Sequence, residues 1–168
     1  MGGTTVSTNF GGSYRDWLIE THDDAHGNGD LSAHFYRRAA ILIGAHGTVG
    51  LISTNTISQG DTRATGLRYL LSRGFVIYDA TRSMPWPGDA AVEVALVHLA
   101  GRSPRFRMRA FTTRRPTNVD AINSRLRGSP EREDPVAPPR PAPTLKRSRA
   151  SSFYGDGFIL GTHRGARS

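Results

Sequence analysis

Over the first hundred residues the apolar positions keep a regular rhythm that switches between helical and strand-like spacing. Residues 13–22, SYRDWLIETH, have the spacing of a short helix, with Ser13 as the expected N-cap and Asp16 three residues on. A polar loop, THDDAHGNG, follows. From Asp30, the residues Leu31, Phe35, Ala39 and Leu42 or Ile43 recur at helical intervals, and Gly44 and Gly47 are placed to stop that helix. Residues 48–54, TVGLIST, are a short apolar run rich in β-branched side chains, which predicts a strand buried on both faces. Asp61 is the expected cap of a third helix that puts Ala64, Leu67, Leu70 and Leu71 on one face and ends at Gly74. FVIYDAT predicts a strand, RSMPWPGDA a turn, and AVEVALVHLA another strand.

The order is therefore helix, strand, helix, strand, strand. Strands separated by a capped helix predict a parallel crossover, and strands joined by a short turn predict an antiparallel hairpin. Together they predict an α/β fold: part of a sheet with an antiparallel pair at one edge. Three such strands leave a long edge and much apolar surface without a neighbour. The expectation is a piece of a larger domain, or a chain that pairs with another.

Composition divides the chain. Residues 1–100 carry 7 Lys/Arg and 9 Asp/Glu, whereas residues 101–168 carry 15 and 5, so the net charge of +8 belongs to the second part. Beyond residue 111 the sequence turns rich in proline and arginine, as in SPEREDPVAPPRPAPTLKRSRASS. This predicts a folded region over 1–111 and an extended, disordered basic segment over 112–168. A basic tail suits phosphate backbones, and the alternative is a solvated segment with no specific partner. The absence of cysteine excludes disulfides and thiolate metal sites and fits a reducing, cytoplasmic setting. No apolar run reaches a membrane-spanning length, and the N-terminus lacks the pattern of a secretory signal. Val6 stands where a myristoylation signal needs Ser or Thr.

Four short motifs occur in order: Asp30-Leu31, Thr54-Asn55-Thr56, Gly60-Asp61-Thr62-Arg63 and Pro85-Trp86-Pro87-Gly88. Their sequence and spacing resemble the later half of S-adenosylmethionine-dependent DNA methyltransferase domains. The resemblance is to the adenine-N6 enzymes of the type IIL fused restriction–modification kind. It covers roughly residues 11–100, and more weakly FYGDGFILG at 153–161, which resembles a segment leading towards target recognition. It implies the last three strands of a Rossmann-like class I methyltransferase sheet, ending in an antiparallel hairpin. It also implies S-adenosyl-L-methionine as cofactor and double-stranded DNA as partner. The glycine-rich cofactor loop and the Asn-Pro-Pro-Phe/Tyr motif of the family are absent. The resemblance would place both before Met1, so no catalytic residue is expected in this chain. A missing N-terminal half is then an expected partner, and the chain is expected to be inactive alone.

The resemblance also implies roles for particular residues. Trp86, with Pro87, would stack on a target base flipped out of the duplex, a wall that such chemistry needs. The alternative is that Trp86 folds back over the local core. Asp30 and Leu31 would line the adenine end of the cofactor, and Asp30 is equally suited to a plain N-cap. Asn55, Thr56, Gln59 and Arg63 would approach DNA or the pocket rim, or form only a polar loop and helix cap. The cluster HDDAH at 22–26 reads as a polar loop rather than a metal site, and His34 and His98 read as packed or surface residues. A different class of function remains open: a non-enzymatic nucleic-acid-binding module that works through its basic tail.

Overall fold

The computed structural model of the chain describes residues 2–102, 109–112 and 115–134. Two helices open it, α1 (Gly3–Phe10) and α2 (Gly12–Thr21). Sequence spacing gives no sign of α1, whose Val6 is buried. Between them Gly11 adopts φ +86°, a left-handed conformation that suits glycine, and it takes the N-cap position expected of Ser13. Helix α3 (Leu31–Ile43) starts at Asp30 as expected, its carboxylate accepting a hydrogen bond from the Ser32 amide at 2.9 Å.

The buried face of α3 is not the expected one. Ala33, His34, Tyr36, Arg37 and Ala40 face inward, while Phe35 and Leu42 are 63% and 72% exposed. The polar tips of two large inward residues find partners, which makes their burial tolerable. The Tyr36 hydroxyl donates to the Leu51 carbonyl at 3.1 Å, and Arg37 Nη1 donates to the Asp23 carbonyl at 2.7 Å.

Strand β1 (Thr48–Thr54) leads through a 3-10 turn (Asn55–Ser58) into α4 (Gly60–Arg63). Gln59, not Asp61, is the N-cap of α4, and Asp61 lies in its first turn. A π-helical turn (Ala64–Arg68) joins α4 to α5 (Tyr69–Ser72). The widened turn accompanies a close approach: a Cβ on Gly66 would lie 3.1 Å from the Ala33 Cβ and 3.2 Å from its Cα. Leu67 and Leu70 enter the core here as the sequence spacing predicts.

Strands β2 (Val76–Pro85), β3 (Glu93–Ala100), β4 (Arg109–Thr112) and β5 (Arg115–Asn118) complete a sheet of order β1-β3-β2-β4-β5. Both β1 and β2 run antiparallel to β3, so they run in the same direction with β3 between them. The fold is mixed α/β, but β3 is interior rather than part of an edge pair. β4 pairs parallel to β2, and β5 antiparallel to β4. Strand β1 has a strand neighbour on one side only among the described residues. None of its residues is fully buried, against the expectation of burial on both faces.

The compact unit runs from Met1 to Glu133, past the expected boundary at 111. Ile122 and Leu126 join the core cluster with Leu67, Ile77, Val97 and Leu99. Two isolated apolar residues in a proline- and arginine-rich stretch carry no period, so the sequence reads as a linker there. Residues 135–168, including 153–161 and most of the basic tail, lie outside the described residues. Gly66→Val forces its branches against Ala33, and the expected loss of stability is about 1–3 kcal/mol, read as a lower urea midpoint at an unchanged slope.

Candidate functional site

Three neighbouring strands bring the turn after β2 and the loop after β1 to the same end of the sheet. Thr54 of β1 and Met84 of β2 both face Val94, and Pro85 faces Glu93. A bulge shapes the end of β2. Thr81 pairs with Leu96 and Met84 with Val94, so Arg82 and Ser83 together oppose Ala95, and Ser83 takes φ +53°. Such bulges bend the strand and re-aim the side chains beyond them.

Trp86 comes two residues after the pairing at Met84. Its amide donates to the Val92 carbonyl at 2.9 Å and closes the loop. The ring lies over Gly88, where a Cβ would come within 2.6 Å of Nε1. A side chain at position 88 would displace the indole from this place. Trp86 is 41% exposed and belongs to no core cluster, and Pro87 beside it is exposed. With Pro85, Asp89, Val92 and Glu93 it borders an open concavity of about 380 Å³.

Asn55 is half-buried at the end of β1 and reaches this rim, its Nδ2 lying 3.5 Å from Glu93 Oε2. Thr56 is exposed and shares a 2.7 Å hydrogen bond with the Thr54 hydroxyl. Gln59 is exposed at the start of α4, its carbonyl accepting from the Arg63 amide.

Arg63, expected to approach DNA or the pocket rim, is buried, and Nη1 donates to the Ser124 hydroxyl at 2.8 Å and lies 3.5 Å from Glu131 Oε1. Glu131 also accepts from the Ser124 amide and hydroxyl at 2.6 and 2.8 Å. This network ties residues 122–131 to the helical segment. No local sequence signal links Arg63 to a glutamate so far along the chain.

Asp30 and Leu31 lie away from that rim. Asp30 is buried, and its amide donates to the Thr62 hydroxyl at 3.0 Å. Leu31 borders a groove of about 460 Å³ between α2 and α3, with Tyr14, Trp17, His34, Phe35 and Ile41 around it. Tyr14 and Trp17 stack with ring centroids 5.6 Å apart.

At the groove floor two buried histidines meet, His34 Nδ1 lying 3.1 Å from His22 Nδ1. His22 Nδ1 is also 3.1 Å from the Leu18 carbonyl. A carbonyl only accepts, so the proton sits on His22 Nδ1 and His34 Nδ1 is bare. Burial, then the neighbouring His22 and Arg37, push His34 down to about 4. Burial also lowers His22, against the pull of the Leu18 carbonyl. The sequence showed both residues but not their contact, which comes from folding the 22–30 loop back onto α3. Among the described residues no group of acidic and histidine side chains can hold a metal, and no helix is long and apolar enough to cross a membrane.

The sheet and helices together are similar to a solved structure, that of the type IIL restriction–modification enzyme MmeI in complex with DNA. The likeness is one of fold. Its TM-score is 0.60 at 23% sequence identity, over 70% of this chain and 17% of that one. The chain thus spans about a sixth of MmeI's length. No protein-family model matches the chain, and no curated protein does.

Both histidines have folded values below the ordinary 6.5, so the unfolded chain binds more protons at mildly acid pH. Their contribution to stability is full above about pH 6.5 and is lost as pH falls towards 4. The urea midpoint is expected to drop across that window, and His34→Gln is expected to flatten the drop.

Proposed function

We propose that this chain is the base-facing part of a DNA methyltransferase of the type IIL restriction–modification kind, with a Rossmann-like sheet. The reaction would be methyl transfer from S-adenosyl-L-methionine to adenine N6 in double-stranded DNA. The observation that carries the proposal is the Trp86 turn. A half-exposed indole stands at the end of the sheet, set by a bulge and a closed loop, beside Asn55 and Glu93. A flipped base needs a flat apolar wall, and stacking on one is worth about 1–3 kcal/mol per base. Pro87 fixes the chain beside the indole, because its ring holds the backbone dihedral. Asn55, Thr56 and Gln59 would contact DNA at the rim, while Arg63 holds the segment 122–131 in place behind it. The resemblance to MmeI in fold, and the order of the four motifs, support the family.

The groove beside α3 suits the flat end of the cofactor. Its wall is aromatic and apolar, with Leu31 at one end, and Asp30 fixes the start of the helix that carries it. The bound cofactor supplies an activated methyl group. The chain's own part is to orient the base and exclude water from its face.

A second polypeptide segment completes the domain in this reading, the N-terminal half that holds the catalytic motif. It would cover β1's open edge and the apolar groove of about 300 Å³ beside it, where Phe35, Leu42 and the 55% exposed Ile52 meet water. The rival reading, a binding module that acts through its tail, draws on the excess of 15 Lys/Arg over 5 Asp/Glu in residues 101–168.

Two outcomes are expected. The purified chain alone transfers no label from S-adenosyl-L-methionine to DNA, and turnover by it would defeat the need for a second segment that holds the catalytic motif. Truncation after Glu133 leaves a binding preference for duplexes with an unpaired adenine, and Trp86→Ala weakens that preference about 5- to 100-fold. Loss of all DNA affinity on truncation would favour the tail as the working part.

A further inference from the structure

The end of the sheet opposite Trp86 carries a second concentration of chemistry. Thr48 and Val76 both face Ala100 there, and Arg102 lies just beyond. A cavity of about 320 Å³ opens at this end, and three arginines line it: Arg37, Arg73 and Arg102. We propose that this cavity is a binding site for a phosphate group, gripped by the three guanidinium groups.

Arg37 is the built part of the site. It lies in the middle of α3, is 4% exposed, and its guanidinium carbon sits 3.5 Å from the centroid of the Tyr69 ring. Nη1 donates to the carbonyls of Asp23 at 2.7 Å and Thr65 at 3.4 Å. These are neutral acceptors. Among the described residues, no carboxylate is within ion-pair distance of Arg37, Arg73 or Arg102. Asp23 and Asp24 act on Arg37 only through space. Burial accordingly lowers the pKa of Arg37. A buried cation is ordinarily paired, and among the described residues no side chain in contact with Arg37 supplies the counter-charge.

The other two arginines are exposed and converge on the same ring and turn. Arg73 lies 4.9 Å from the Tyr69 centroid. The next residue, Gly74, has φ +87°, and the Arg102 stem passes over it, with Cγ 3.4 Å from where a Cβ would stand. The Arg102 stem thus packs over the turn that follows Arg73. Planar forks of N–H donors match phosphate oxygens two at a time, which one lysine does not do. The wall also holds Thr21 and His22, and Asp23 is its one acidic side chain. The three arginines belong neither to the Trp86 rim nor to the groove beside α3, although the cavity wall meets that groove at Thr21, His22 and Ile41.

A phosphate group can come from a free phosphate ester or from a nucleic-acid backbone, and the test separates them. The full 168-residue chain is titrated with inorganic phosphate by calorimetry, at constant ionic strength against a chloride control. Saturable binding at a single site is expected. Arg73→Ala and Arg102→Ala, both at exposed positions, are each expected to weaken it about tenfold or more while the circular dichroism is unchanged. No saturation beyond the chloride control, or affinity unmoved by the double variant, overturns the site. A short duplex that competes with phosphate, and whose binding loses about one unit of salt slope in the double variant, identifies a backbone source. A duplex that does not compete, with phosphate binding intact, identifies a free ester.

Discussion

The described fold depends on β3 having a neighbour along each edge. Its amides and carbonyls are shared between β1 and β2, which are not paired with each other. Backbone polar groups in a buried strand must be paired, so neither flanking strand can hold its place without β3. Ala95, Val97 and Leu99 are buried, and they bind the sheet to the cluster of Leu67, Ile77 and Ile57. The short connection from β2 to β3 then has no freedom in where it ends. It must deliver the chain beside the last residues of β1, and this is why the Trp86 turn and Asn55 share one rim.

The same constraint separates what was legible from what was not. The apolar runs of β1, β2 and β3 were plain in the sequence, and so was the cap at Asp30. Their order in space was not, because a short turn names a partner strand but says nothing about who lies beyond it. The face of α3 was misread for a chemical reason. Tyr36 and Arg37 count as polar in a periodicity, yet each buries a long stem and satisfies its tip on a backbone carbonyl. Phe35 and Leu42 count as core, yet they face the open side of β1.

The candidate site shows the same division. Trp86 between two prolines was conspicuous as a sequence, and the structure keeps it at the surface. Arg63 in its Gly-Asp-Thr-Arg setting was equally conspicuous, and the structure draws it inside. The difference is a partner far along the chain: Glu131 and Ser124 accept from its guanidinium and convert a surface cation into a brace. The segment that supplies them has only Ile122 and Leu126 to hold it in the core, so composition reads it as linker. Buried arginines recur in this small fold, Arg63 matched to a carboxylate and Arg37 to carbonyls and an aromatic ring.

The bulge at Arg82 and Ser83 has a bearing on how such a hairpin tolerates change over generations. Side chains on a strand alternate between faces, so each residue gained or lost exchanges the faces of everything after it. The bulge contributes one such exchange before Trp86. Substitution at Ser83 alters only the ease of its left-handed backbone. Deletion of a single residue there reverses the parity of the strand end and turns the indole to the other side of the sheet. In lineages that keep the indole at this rim, the length of this segment is therefore expected to vary less than its letters.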